Sequence, residues 1–300
     1  MSRRWSMVLM LFIGCVAGGQ LAFAAGDRID AVAVNYPLAY FASRIGGDAI
    51  DVRFPAPPEG DPANWNPPPQ ELEALRDADL ILLNGAGYAR WPAELSLSAD
   101  RLVDTSAAFA DRYLGVDAET HRHGAGGEHS HDPETAFTTW LDPQLAVLQA
   151  AAIRDALSAA RPAAATDFAA GFESLAADLH ALDDEFERLF AALGDGPVVF
   201  SHPVYQYLEA RYGINGISVH WEPEQSPSTD EMVKLADRLM DHPAQILIWE
   251  GEPLPETVAE LSTWAVDSVV MNPCGNRPAQ GDYLTVMKEN IANLSAAIED

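Results

Sequence analysis

Four of the eight histidines of this 300-residue chain fall within eleven residues, His121, His123, His129 and His131, in a Gly-rich acidic stretch running from Thr120 to Asp132. Neutral imidazole is a favoured ligand for zinc and similar divalent cations, and a flexible backbone lets several rings reach one ion. The stretch 119–132 therefore reads as a metal-collecting loop; the plainer reading is a solvated insertion that happens to be His-rich. A second set of donors lies in the C-terminal half. His202 sits in a Ser201-His202-Pro203 turn directly after an apolar run. His220, Glu222 and Glu224 follow another short β-branched run, and Glu250 and Glu252 follow Ile246 to Trp249. Open α/β sheets place ligands at the C-terminal ends of their strands, so His202, His220, Glu222 and Glu250 together compose a candidate nitrogen and oxygen site for a metal. For Glu224 and Glu252 a solvated loop acid is the better reading.

Other chemistries lack their residues. Ser201 and His202 are adjacent on a strand end, where neighbouring side chains point apart, and no Gly-x-Ser-x-Gly elbow exists to expose a nucleophile. Gly194-Asp195-Gly196 precedes a strand instead of following one, so it is no phosphate loop or dinucleotide fingerprint, and His-x-x-x-His hydrolase spacing is absent. The chain reads as a binding protein and not an enzyme.

These donors must be positioned by a layered scaffold. From Asp27 onward, short apolar or β-branched runs alternate with amphipathic stretches, which predicts parallel sheets covered by helices. Strands are expected at 31–34, 51–54, 80–83 and 102–103, with helices at 37–45 and 69–78, each with proline near its start where the missing N–H does no harm. Asp142-Pro143 caps and opens a helix towards Arg161. Pro162 breaks it, and apolar residues at Phe168, Phe172, Leu175, Leu179, Leu182, Phe186 and Leu189 mark one helix over 163–193. A helix of that length spans about 45 Å, enough to connect two lobes rigidly. A second α/β series follows, with strands at 198–200, 214–219, 246–249 and 268–271 and helices at 205–212, 229–241, 255–264 and 283–298. The predicted organisation is a leader over 1–24, an N-terminal α/β lobe over 25–161 carrying the His-rich loop, a connecting helix over 162–194 and a C-terminal α/β lobe over 195–300.

Arg3 and Arg4, the apolar run from Trp5 to Ala17 and the small-residue site Ala22-Phe23-Ala24 compose a secretory signal peptide, which predicts cleavage near Ala24 and a periplasmic product. Phe12-Ile13-Gly14-Cys15 is an alternative lipoprotein site with an unusual Phe at its start, so the soluble product is favoured. Removing the two arginines takes the net charge from -27 to -29. Such acidity argues against nucleic acid and anionic membrane surfaces and enriches cations around the protein at low salt. If Cys15 leaves with the leader, Cys274 has no internal partner and the fold must rest on its core, as an expected monomer.

Five segments, in order, resemble the zinc and manganese solute-binding proteins of ABC transporters. Asp61-Pro62-Ala63-Asn64-Trp65-Asn66-Pro67 is similar to the family's Asp-Pro-His-x-Tyr-Glu-Pro, Ala78 to Gly85 to its Ala-Asp-Leu strand, and Thr138-Thr139-Trp140-Leu141-Asp142-Pro143 to its His-x-Trp-Leu-Asp-Pro. Phe200 to Tyr207 resembles the segment bearing a third ligand, and Met271-Asn272-Pro273-Cys274-Gly275 stands where the family has Asp-Pro-Leu-Gly. The resemblance implies cargo held between two lobes with modest lobe movement, Zn2+ or Mn2+ as that cargo, and delivery to an inner-membrane permease. It also places the family's four ligand positions at Ala63, Thr138, His202 and Asn272, of which only His202 keeps a strong donor, so His220, Glu222 and Glu250 are the candidate replacements. Trp65, Trp140, Trp221 and Trp249, with Asn64, Thr138, Thr139 and Asn272, suggest a different option, an aromatic cleft for a chelated metal or another small molecule. A third is a zinc-buffering accessory chaperone that works through the His-rich loop.

Overall fold

A computed structural model describes residues 28–116 and 135–299. The leader and the four loop histidines lie outside them. Among the described residues, eight strands form two four-stranded sheets, and within both sheets every pairing is parallel. The first sheet comprises β1 (Ile29–Ala33), β2 (Ile50–Arg53), β3 (Leu80–Leu83) and β4 (Leu102–Asp104), in the order β2-β1-β3-β4. The second comprises β5 (Val198–Phe200), β6 (Gly216–Ser218), β7 (Ile246–Trp249) and β8 (Asp267–Val270), in the order β6-β5-β7-β8. Both are doubly wound in the same way. Their switch points, where ligands of open α/β sheets sit, lie between β1 and β3 and between β5 and β7.

The helices begin where the local chemistry demands. Asn35 accepts the Leu38 N–H at the start of α1 (Tyr36–Gly46), after which the chain crosses to β2 and to α2 (Pro69–Leu75). Asp142 accepts from Gln144 and Leu145, and Pro143 opens α3 (Pro143–Ala160). The long helix α4 runs over Ala165–Leu193 and not from residue 163, because Pro162–Ala164 first makes a tighter 3-10 turn. After α5 (Gln206–Tyr212), a reciprocal Ser228 and Glu231 capping box starts α6 (Thr229–Asp241). Then come α7 (Pro255–Ser262) and α8 (Tyr283–Glu299). The sequence reading misplaces most boundaries by only one or two residues.

The connector touches both lobes. Its face packs on α1 and α3 from the first lobe and on α5 and α8 from the second. At the α1 crossing a side chain on Gly171 would begin 2.5 Å from the Ile45 carbonyl oxygen, so glycine lets the two backbones meet there. A continuous apolar cluster runs through the junction, from Ile81 and Phe41 through Leu179 and Phe186 to Tyr283, Leu294 and Phe200. Near α5, Asp183 of α4 accepts hydrogen bonds from Arg211 at 2.6 and 3.1 Å, from Tyr212 at 2.8 Å and from Gln144 at 3.2 Å. One carboxylate thereby ties α3, α4 and α5 together.

Candidate metal centre

The first lobe closes its own switch point. Asn35 and Asn84, at the ends of β1 and β3, are both buried, and the Asn35 amide donates to Asn84 Oδ1 at 3.0 Å. Gln149 donates to the same oxygen at 3.2 Å and to the Thr105 hydroxyl at 3.1 Å, so the amides at this switch point are bonded to one another. The second lobe differs. β5 delivers Ser201 and His202, β7 delivers Glu250, and the loop after β6 delivers His220 and Glu222 to one rim. The ladder continues past the strands, with Val219 N–H donating to the Phe200 carbonyl and Trp221 N–H to the Ser201 carbonyl, both at 2.8 Å. The side chain of Glu222 is therefore brought opposite His202, with 4.0 Å between Nδ1 and Oε1.

Among the described residues, His202, Glu222 and Glu250 are a trio each offering one ligand atom, all within 4.8 Å of one another. Tetrahedral ligands about 2.1 Å from zinc stand about 3.4 Å apart, so a cation would draw these atoms together by roughly an ångström. Electrostatics favour that contraction. Two carboxylate charges about 5 Å apart repel by at most about 3 kcal/mol at an effective dielectric near 20, less where solvent screens Glu222, and a divalent cation reverses the sign. The Glu250 carboxyl registers the crowding. Burial, followed by the charges of Glu222, Asp61 and Glu224, pushes it up to about 7.

His220 stands beside this trio and outside it. Its ring meets that of His202 edge-on at 5.5 Å between centroids, in position to orient its neighbour. The positions matching the family's other ligands are otherwise engaged. Ala63 is 9% exposed and has no donor atom, the Thr138 hydroxyl donates to the Val204 carbonyl, and Asn272 Oδ1 accepts the Cys274 N–H at 2.7 Å. The tryptophans also lie mainly in packing roles. Trp140 is 1% exposed and donates to the Pro273 carbonyl at 2.7 Å, while Trp221 and Trp249 pack on each other inside the second lobe. Trp65, half-buried, packs edge-on against Trp91, and Asn64 lies exposed on the loop it shares with Asp61.

The sequence reading passed over Asp61 as a donor. Its charge acts on Glu250, and its own carboxyl is raised by the protein packed about it and then by Glu222. Asp61 itself is exposed and lies outside the trio. The only local signal is its place in an Asp-Pro-Ala-Asn turn, two residues before the donorless Ala63.

Comparison with known proteins supplies the context. A family model described as zinc-uptake complex component A, periplasmic, matches residues 31–297. The chain belongs to that family. A high-affinity zinc uptake system protein of Bacillus subtilis is 24% identical, over 92% of this chain and 90% of that protein. A zinc-binding protein of Streptococcus pyogenes is 23% identical over 96% of this chain, which spans only 59% of that relative's length. Named relatives in this zinc-uptake family are binding and uptake proteins, one of them, from Streptococcus pneumoniae, a lipoprotein. Among solved structures, the Zn(II)-bound domain of a Streptococcus pneumoniae relative superposes with a TM-score of 0.77 at 20% identity, covering 91% of this chain and all of that one. A metal-dependent lipoprotein of Bacillus subtilis gives 0.76 at 19% identity, covering 90% of this chain and 99% of that one. These neighbours share the architecture of two lobes and one long helix. No described helix is long and apolar enough to cross a membrane.

Proposed function

We propose that this protein is the exported substrate-binding component of a zinc ABC transporter, a monomer that captures the cation between its lobes and hands it to an inner-membrane permease. The observation that carries this reading is the convergence of His202, Glu222 and Glu250 at the switch point of the second lobe. The second-lobe rim supplies the grip that the family's positions 63, 138 and 272 no longer supply. The lobes are already fastened. The Gly275 carbonyl accepts the Tyr36 N–H at 3.0 Å, the Tyr283 hydroxyl donates to the Trp140 carbonyl at 2.8 Å, and the Tyr207 hydroxyl donates to the Ala136 carbonyl at 3.0 Å. Such ties fit capture by small loop and side-chain movement and not by wide hinge opening. His121, His123, His129 and His131 would gather ions and raise the capture rate without holding the transported one.

Proton bookkeeping tests the ligand set. A carboxyl raised to about 7 and an imidazole, which ordinarily titrates near 6.5, must both be deprotonated to ligate. Zinc binding is therefore expected to release about 0.1 proton at pH 8, rising to between about one and two at pH 6, with affinity falling as pH drops. Calorimetry in two buffers of different ionisation enthalpy, on protein lacking residues 119–132, reads this number directly. Proton release that stays near zero at pH 6 contradicts ligation by this pair.

A further inference from the structure

Between β2 and α2, residues 54–68 form neither helix nor strand and carry Pro55, Pro57, Pro58, Pro62, Pro67 and Pro68. Each proline fixes its own φ, so this strap bends little within itself and moves about its ends. The ends are packed on the first lobe. The Phe54 ring lies 6.4 Å from that of Tyr36, and Trp65 meets Trp91 edge-on at 5.8 Å between centroids. The apex, Pro57 to Asp61, is exposed and is gripped from the second lobe. The Asn276 amide donates to the carbonyls of Pro57, Pro58 and Gly60 at 2.9, 3.2 and 3.0 Å. Gly60 turns the chain there with φ of +90°, a conformation that disfavours a side chain.

We infer that Asn276 is a latch: its amide holds the strap across the mouth of the cleft, and release of that grip, with the lobes staying together, is the step that lets the ion in and out. This rests on the zinc-capture reading above, which it deepens by naming the element that moves.

Topology puts the latch on the cargo's side of the molecule. The strap leaves the C-terminal end of β2, and Asn276 lies just beyond the C-terminal end of β8. β8 pairs with β7, which delivers Glu250, and the Met271 N–H donates to the Trp249 carbonyl at 2.8 Å, one residue before that ligand. The run from Met271 to Asn276 is braced. Asn290 of α8 donates to the Asn272 carbonyl and accepts the Asn272 N–H, both at 2.8 Å, Trp140 of the first lobe donates to the Pro273 carbonyl, and the Gly275 carbonyl accepts the Tyr36 N–H. Asn276 thus stands at the fixed end of a run that begins beside Glu250.

Exposure decides which interlobe tie yields first. The bonds from Tyr283 to the Trp140 carbonyl and from Tyr207 to the Ala136 carbonyl are buried, whereas all three Asn276 bonds are exposed. Exposed hydrogen bonds with few buried contacts around them belong to the least stable parts of a fold and open locally. The strap can therefore lift while the lobes stay joined.

The test is the kinetics of zinc exchange, followed by stopped-flow with a chromophoric chelator at pH 7.5 in 0.5 M NaCl, for the full chain and its Asn276→Ala and Asn276→Asp variants, with Glu250→Gln as the ligand control. Aspartate keeps the acceptor that Asn276 Oδ1 offers the Arg277 N–H at 2.7 Å and loses the donor, while the salt screens its added charge. The amide has two N–H groups, each contributing up to about tenfold to an opening equilibrium, so association and dissociation should both accelerate by at least about tenfold in both variants. None of the latch partners is a proposed ligand, so entry and escape gain alike and Kd should stay within about threefold. Hydrogen exchange of residues 54–68, followed by mass spectrometry, should speed in the same variants, with α3 and α4 protected as in the parent. Rates within about twofold of the parent, unchanged exchange in the strap, or faster dissociation alone with affinity lost in proportion each overturn the latch. If Glu250→Gln keeps full zinc affinity, the site reading falls and this inference with it.

Discussion

Replacing His202 with alanine is expected to weaken zinc binding at pH 7.5 by at least about a hundredfold, or about 3 kcal/mol. His202 is the single imidazole of the trio, and the two carboxylates that remain are hard donors better suited to Mg2+, Ca2+ or Mn2+ than to zinc. The neighbouring ring separates ligation from general disturbance. His220 lies outside the trio and meets His202 edge-on at 5.5 Å, so His220→Ala should cost about tenfold or less, through looser orientation of His202. Chelator competition on proteins lacking residues 119–132 keeps the loop histidines from masking either effect. A His202→Ala variant with parental affinity, or a larger loss at His220 than at His202, would mean that the ion is held elsewhere.

The second large effect concerns the scaffold. Asp183→Ala should cost about 3 kcal/mol of unfolding free energy at pH 7, at the low end of the 3–5 kcal/mol seen when one partner of a buried ion pair is removed. Asp183 is only 10% exposed and satisfies Arg211, Tyr212 and Gln144 at once, so three donors lose their acceptor. The loss stays moderate because Arg211 retains Asp142 and Glu187, each at 3.8 Å. Although burial alone would raise the Asp183 carboxyl, the hydrogen bonds from Arg211, Tyr212 and Gln144 hold it below the usual carboxylate range. A group depressed in the folded state contributes stability above its unfolded pKa near 3.9 and loses it as pH falls through the folded value. The parent and variant should therefore converge in strong acid. Urea unfolding of the metal-free proteins at pH 7 and pH 3 measures both points, and equal stability at pH 7 would remove Asp183 from the account. None of its partners is a proposed ligand, so zinc affinity of the folded variant should stay near the parental value.

How far the residues alone reached follows from the range of each signal. The ends of α1, α3 and α6 are set by Asn35, Asp142 and Ser228 acting on N–H groups two or three residues away, and β7 and α6 fall at their expected bounds. Such effects are local and legible. His202, Glu222 and Glu250 were also legible as donors at strand ends, because each follows an apolar or β-branched run that reads as a strand. What the chain order does not reveal is docking. The strap from Pro57 to Gly60 is tied to the second lobe by Asn276, more than two hundred residues away in sequence. The same limit affects the tryptophans. An aromatic residue beside a strand end reads equally as cleft wall or core, and only packing places Trp140, Trp221 and Trp249 inside. Glycine at 171 similarly answers to Ile45 on another helix, a demand that no pattern within α4 betrays.

The most direct measurement is anomalous diffraction at the zinc edge from crystals of the protein grown with one equivalent of zinc. The account predicts one strong peak between the lobes, about 2.0–2.2 Å from a ring nitrogen of His202 and from carboxylate oxygens of Glu222 and Glu250. An interlobe cleft without a peak, or an ion bound only by side chains outside that trio, contradicts it.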